Sequence, residues 1–183
     1  EDILTIEVIA RGFDLSRRVS SRVFSGSKLD LGTRQLLEIA PDLPKDGTFL
    51  DLGCGWGPIA TIMSLESPNA AVWAVDVNSR AVDLTQRNAQ SNGANGVRAL
   101  KAEEALASSQ QTDTLFDVIW SNPPVRIGKE AMHEMLLAWL GRLAPTGVAY
   151  LVVQRTLGAA SLITWLNGQG FHASTSASNK GFR

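Results

Sequence analysis

Three glycines at alternate positions, in Asp51-Leu-Gly53-Cys-Gly55-Trp-Gly57-Pro58, follow an apolar run and precede a helical stretch. Glycine alone turns this tightly and lets backbone approach a ligand that any Cβ would push away. The helix starting at Pro58 aims unpaired N–H groups and the positive end of its dipole at the same place. A chain with this junction is constrained to strand–loop–helix units, and the remainder repeats them. Strands are read at Thr48–Leu52, Ala71–Val75, Val97–Leu100, Phe116–Trp120 and Gly147–Val153. Between and after them, helices are read at Pro58–Leu65, Ala81–Gln90, Lys129–Leu140 and Leu157–Asn167, with a weak last strand signal from Phe171. Such alternation predicts an α/β fold, a mostly parallel sheet covered by helices on both faces.

Ahead of this core, Leu4, Ile6 and Val8 alternate with polar residues as a half-buried strand does, and a helix starts at Gly32 and stops at Pro41. The polar stretch Ala107–Thr114 reads as a surface linker. Residues 1–183 are therefore taken as one domain, with 1–47 a lead-in and 48–183 the α/β core. Of the residues, 44% are hydrophobic and 19% charged, enough apolar material for a buried core and too much for a disordered chain. The net charge is -1, which excludes gripping a long nucleic acid by bulk electrostatics, so any such contact is local. One cysteine, Cys54, rules out an internal disulfide and suits a reducing compartment. Apolar runs such as Val148 to Val153 are too short for a bilayer, and the expectation is a soluble, cytoplasmic protein. His133, His172 and Cys54 make no metal-ligand spacing, and no metal is expected.

The glycine loop admits a nicotinamide reading, because counting from Gly55 puts Ala60 at the third position of the looser dinucleotide fingerprint. Counting from Gly53 puts Pro58 there. The extra glycine and the preceding Asp51 favour a different ligand. Asp76 ends the next strand, where a carboxylate accepts two ribose hydroxyls or simply caps the following helix. Ser121-Asn122-Pro123-Pro124 follows a later strand. Prolines there lack N–H donors and fix φ, holding out the Asn122 and Pro123 carbonyls. With the Asn122 side-chain oxygen they suit the two hydrogens of a planar –NH2 group.

Taken as a set, the Asp-led triple glycine, the acidic end of the next strand and Asn-Pro-Pro resemble the class I S-adenosylmethionine-dependent methyltransferases. Val23-Phe24-Ser25-x-x-Lys28-Leu-Asp30-x-Gly32-Thr33-x-x-Leu36-Leu37 is similar to the lead-in of the methyltransferase small family, which includes ribosomal-RNA guanine-N2 methyltransferases. The resemblance implies a Rossmann-like, mostly parallel seven-stranded sheet whose last, antiparallel strand would begin at Phe182-Arg183 and so be incomplete. It implies S-adenosylmethionine as cofactor, with Asp51, Gly53, Gly55 and Gly57 at its amino-acid moiety and Asp76 at the ribose. Val77 would lie beside the adenine, Glu103 at the adenine edge, and Thr33 near the cofactor carboxylate. Asn122, Pro123 and Pro124 would grip the target amine. The family often places Phe or Tyr after Asn-Pro-Pro, whereas this chain has Val125. The implied substrate is an exocyclic amine of an RNA base, with guanine N2 of ribosomal RNA foremost. A protein glutamine methyltransferase and a non-catalytic binder remain the alternatives.

Weaker signals stay two-sided. Arg11, Arg17, Arg18, Arg22, Lys28 and Arg34 form a basic stretch that could meet an RNA backbone or merely be solvated. Arg126 to Lys129 could meet phosphate or be an exposed helix start. Trp56 could cover a cofactor or pack under the loop, and Trp73, Trp120, Trp139 and Trp165 read as core.

Overall fold

The computed structural model describes residues 3–11, 13–20, 30–123, 127–153 and 158–175. It begins with an antiparallel hairpin of β1 (Ile3–Ala10) and β2 (Phe13–Ser20), then α1 (Leu31–Ile39). Alternating units follow: β3 (Thr48–Leu52), α2 (Pro58–Glu66), β4 (Ala71–Asp76), α3 (Ser79–Ser91), β5 (Val97–Lys101) and α4 (Ala102–Gln111). The last described elements are β6 (Phe116–Ser121), α5 (Lys129–Leu140), β7 (Leu143–Leu151) and α6 (Ala159–Gly168). Strands β3 to β7 form one open sheet in the order β5-β4-β3-β6-β7, with every pairing parallel. The α/β expectation holds.

Alternation along each strand sorts the core into two layers. Phe49, Val72, Ala74 and Trp120 pack with Leu36 and Leu37 of α1, Ile59, Ile62 and Met63 of α2, and Leu84 of α3. Leu50, Leu52, Trp73, Val75 and Ile119 face the opposite way. They pack with Ala105 of α4, Leu136, Trp139 and Leu140 of α5, and Leu166 of α6. On β3, Asp51 shares the parity of Phe49, so its carboxylate is carried into the layer beneath α2.

The described elements complete the expected layout and correct it in two places, the linker and the last strand signal. The open sheet has five strands among the described residues, β1 and β2 pair with each other as a separate two-stranded sheet, and the last strand expected from Phe182-Arg183 lies outside the described residues. The basic stretch after Arg11 contains β2, which pairs residue for residue with β1 from Ala10↔Phe13 to Ile3↔Ser20. The stretch read as a linker from Ala107 is mostly α4: Ala105 and Ser109 are buried while its polar side faces water, so composition hid a helix docked by a narrow stripe. No strand forms at Phe171. There the Asn167 side chain accepts the Ala173 N–H at 2.6 Å and donates to the Ala173 carbonyl at 3.1 Å, using up the groups a strand would pair.

The strand order decides where a ligand can sit. The chain moves outward from β3 through β4 to β5, then returns to place β6 on the other side of β3. In open α/β sheets, ligands bind at such a switch point, outside the carboxyl ends of the strands that flank it. In the register Leu52 faces Ser121. Gly53 and Asn122 are therefore the next residues on neighbouring strands.

Candidate active site

Gly53, Gly55 and Gly57 all have positive φ, at 81°, 57° and 97°. Only glycine adopts such angles at little cost. Their purpose is a loop stitched to the end of β4. Gly53 N–H and Cys54 N–H both donate to the Val75 carbonyl, at 2.8 and 3.0 Å. Gly55 N–H donates to Asp76 Oδ2 at 3.0 Å, and Asn78 N–H donates to Asp76 Oδ1 at 2.9 Å. Asp76 thus ties the glycine loop to the next turn, and each oxygen keeps a lone pair for a further donor. Asn78, not Asp76, caps α3 with its side chain, which removes the simple capping account of Asp76.

Asp51 is fully buried. Its Oδ2 accepts the Ala60 N–H of the first turn of α2 at 3.0 Å, while Oδ1 has no partner among the described residues. Burial pushes its carboxyl up to about 8; the Ala60 bond opposes the shift and the nearby charge of Asp76 adds to it. Cys54 is buried too, and burial above all drives its thiol upward, which suits a small loop residue and not a nucleophile. Trp56, 1% exposed, packs under the loop within the core.

Helix α3 supplies supports that sequence reasoning missed. Thr85 Oγ1 donates to the Gly55 carbonyl at 3.0 Å and Asn88 Nδ2 to the Trp56 carbonyl at 2.8 Å. A Cβ at Gly57 would stand 2.9–3.0 Å from Thr85, so the third glycine permits helix packing as well as the turn. The available signal was two polar residues, Thr85 and Asn88, on the face of α3 that also carries Ala81, Leu84 and Ala89.

On the neighbouring strand, Ser121 anchors the end of β6 by donating to the Leu52 carbonyl at 2.7 Å. Asn122 follows and meets the start of α1: its Nδ2 donates to Asp30 Oδ2 at 2.7 Å and to Thr33 Oγ1 at 3.0 Å. Thr33 is buried and lies beside Asn122. Pro123 is buried, and Pro124, Val125 and Arg126 lie outside the described residues. Lys129 is exposed at the start of α5. Val77 is 79% exposed just past Asp76. Glu103 is exposed in the first turn of α4, two residues beyond Lys101, which pairs with Asp76. The structure thus gathers Asp51, the glycines and Asp76 on one side and Thr33 with Asn122 on the other.

Arg11 leaves the basic stretch. Its guanidinium donates to both Glu66 oxygens and to the carbonyls of Leu37, Ala40 and Pro41, so it holds the end of α1 and does not wait for a phosphate. Arg34 stays exposed. The side chains of Arg17 and Arg18, with Arg22 and Lys28, lie outside the described residues. Trp73, Trp120 and Trp139 are buried as expected, whereas Trp165 is half-buried and stacks on His133 at 3.6 Å. No helix among the described residues is long and apolar enough to cross a membrane, and no three His, Cys, Asp or Glu side chains among them gather as a metal site requires.

Comparison with known proteins gives four findings. The family model described as "Methyltransferase small domain" matches residues 16–183. YbxB of Bacillus subtilis (strain 168) is 31% identical over 172 residues, covering 94% of this chain and 85% of that protein. The ribosomal RNA small subunit methyltransferase C of Pseudoalteromonas translucida is 42% identical over 108 residues, 58% of this chain but 29% of that protein. Among solved structures, the Thermus thermophilus 16S rRNA N2 G1207 methyltransferase in complex with AdoMet and guanosine superposes with a TM-score of 0.81 at 23% identity. The match covers 100% of this chain and 49% of that one. The chain therefore spans under half the length of these two ribosomal-RNA methyltransferases.

Proposed function

The chain belongs to the methyltransferase small domain family and has the class I, Rossmann-like fold, and on that premise we propose that it methylates an exocyclic amine of ribosomal RNA, guanine N2 foremost. One observation carries the reading: the glycine loop and Asn122 leave adjacent strands at the switch point, so a cofactor held by one faces an amine held by the other. Two of the three similar proteins support the substrate class, since the Pseudoalteromonas and Thermus proteins are ribosomal-RNA methyltransferases and the Thermus enzyme was solved with guanosine. We place the work in the cytoplasm, where ribosomal RNA is processed, and assign it to residues 1–183 acting as one domain.

The residues fit S-adenosylmethionine. Three left-handed glycines make a close backbone approach possible, Asp76 has lone pairs for ribose hydroxyls, and the unpartnered Oδ1 of Asp51 is a buried acceptor beneath the loop whose ionisation a cation above would favour. In this reading Asp51, Gly53, Gly55 and Gly57 border the amino-acid moiety and Asp76 holds the ribose. Val77 and Glu103 flank the adenine, and Thr33 approaches the carboxylate. When bound, the cofactor supplies a methyl group already activated on a sulfonium.

The protein then has mainly to align the amine. An exocyclic –NH2 shares its lone pair with the ring and is a poor nucleophile. Asn122 Oδ1 and the Pro123 carbonyl accept its two hydrogens, with Pro124 stiffening the turn, and favour a pyramidal nitrogen whose lone pair faces the methyl. Positive charge growing on that nitrogen strengthens both bonds in the transition state, which is the differential binding that accelerates the step. Water takes the proton afterwards.

The test is labelled methyl transfer onto total RNA and total protein from cells lacking the gene, followed by nucleoside analysis for N2-methylguanosine. Label on protein glutamine would replace this reading, and cofactor binding without any transfer would leave a non-catalytic binder. Asn122→Ala is expected to lower transfer by about two to three powers of ten. Its affinity for S-adenosylhomocysteine should stay near that of the parent. Near-normal turnover in this variant would reduce Asn-Pro-Pro to a stiff loop.

A further inference from the structure

A side-chain amide has a donor end and an acceptor end of nearly the same shape, so an Asn that must accept a hydrogen bond needs its flip state decided. At Asn122 the decision comes from α1. Asp30, just before this helix, caps it by accepting the Thr33 N–H at 3.3 Å, and the same Oδ2 accepts Asn122 Nδ2 at 2.7 Å. Thr33 Oγ1 takes the second amide hydrogen at 3.0 Å. Both hydrogens of the Asn122 amide are thus spent on α1. A flipped amide would point Oδ1 at a carboxylate oxygen that can only accept, exchanging a charge-assisted bond for a repulsion. Gly32 keeps the space open: a Cβ there would lie 3.2 Å from Asn122 Nδ2, Asn122 Oδ1 and Asp30 Oδ2 alike.

We propose that Asp30 is a positioning residue for methyl transfer, fixing the Asn122 amide so that Oδ1 is free for the target amine. This rests on the proposed function and deepens it, because Asp30 acts only through Asn122. It also gives the lead-in segment its place in the chemistry: the N-terminus of α1 sets the polarity of a group carried on β6.

Capping and positioning separate by choice of side chain. Ser and Asn cap about as well as Asp. Ser is too short to reach Asn122, whereas Asn can present Oδ1 where Asp30 Oδ2 now stands. Single-turnover methyl transfer onto ribosomal RNA from cells lacking the gene is therefore expected to fall about 10- to 100-fold in Asp30→Ser. It should fall within about threefold in Asp30→Asn, where only the charge assistance is lost. Melting temperature and S-adenosylhomocysteine affinity should change little in either. In an Asn122→Ala background Asp30→Ser should cost nothing more, since its route is gone. An unchanged rate in Asp30→Ser, equal losses in the Ser and Asn variants, or a further loss on top of Asn122→Ala would each overturn the proposal.

A second readout is independent of turnover. The Asn122 amide protons, assigned as the pair missing from the Asn122→Ala spectrum, should be protected from solvent exchange in the parent and in Asp30→Asn but not in Asp30→Ser. An unprotected pair in the parent defeats the inference whatever the activity. A protected pair lost in Asp30→Ser, with no transfer to RNA by the parent, supports the hold on Asn122 and defeats the RNA reading instead.

Discussion

Gly32 shows how one hydrogen atom in place of a methyl group can serve the site against local preference. It sits in the first turn of α1, where alanine would be the better helix former by about 1 kcal/mol. Yet the methyl of Gly32→Ala would press on the Asn122 amide and Asp30 together. The expected result is a helix as stable as before or more so by thermal melt, with methyl transfer clearly reduced in the same protein. Unchanged transfer would mean that the Asn122 contact gives way freely. Asp76 has the opposite character. Truncation to Ala removes an acceptor from Gly55 N–H and Asn78 N–H and takes away the proposed ribose contact, so S-adenosylhomocysteine affinity should weaken by about 1–3 kcal/mol in calorimetric titration. Transfer at saturating cofactor should suffer much less.

At the scale of elements, α1 carries Thr33 and begins next to Asp30, yet it is nine residues long and gains little from its own hydrogen bonds. It is held from its far end. The last carbonyls of a helix lack partners within it, and Arg11 supplies them through Leu37 and Ala40 at 2.8 and 2.9 Å. The guanidinium also pairs with Glu66 at the end of α2, at 2.8 Å, and lies over the Trp120 ring of β6 at 5.3 Å. Burial by itself would raise the Glu66 carboxyl, but the Arg11 bonds and the Leu43 N–H outweigh it and hold it below the ordinary value. A carboxyl lowered in this way adds stability that is present at neutral pH and lost as pH falls through its folded value. Arg11→Ala should therefore cost about 2–4 kcal/mol in denaturant unfolding, since it strands a half-buried carboxylate and several carbonyls. That loss should shrink in acid. A cost below 0.5 kcal/mol would show that α1 is held by its apolar face alone.

For the whole molecule, Asp51 makes stability depend on pH in the opposite sense. With a folded value of about 8 against an ordinary 3.8, it keeps a proton in the native state that the unfolded chain has released between those limits. The native state binds more protons there, so its stability falls as pH rises across that window, by at most ~1.4 kcal/mol per pH unit from this group. Asp51→Asn keeps an acceptor for the Ala60 N–H and removes the titration. Unfolding curves of parent and variant should draw apart steadily from about pH 4 to about pH 8, with the variant the more stable; a constant difference would mean that Asp51 titrates normally. This accepted instability at the base of the glycine loop is the kind of local cost that marks a functional site.

What the sequence determined by itself was the alternation of strands and helices and the residue types at each strand end, because both depend on near neighbours. The Asp-led glycines, Asp76 and Asn122-Pro123 could be read as loops at the carboxyl ends of strands from spacing and φ preferences alone. Elements whose burial stripe is narrow or whose partner is distant escaped: α4 hid behind its polar face, and β2 was visible only through its pairing with β1. The tertiary structure alone decided that β6 returns beside β3, which brings Gly53 and Asn122 together. It also withdrew Arg11 from solvent and brought Asp30 within 2.7 Å of a side chain 92 positions away. These are contacts across the sheet and between its layers, and no local pattern of residues encodes which distant group a side chain will meet.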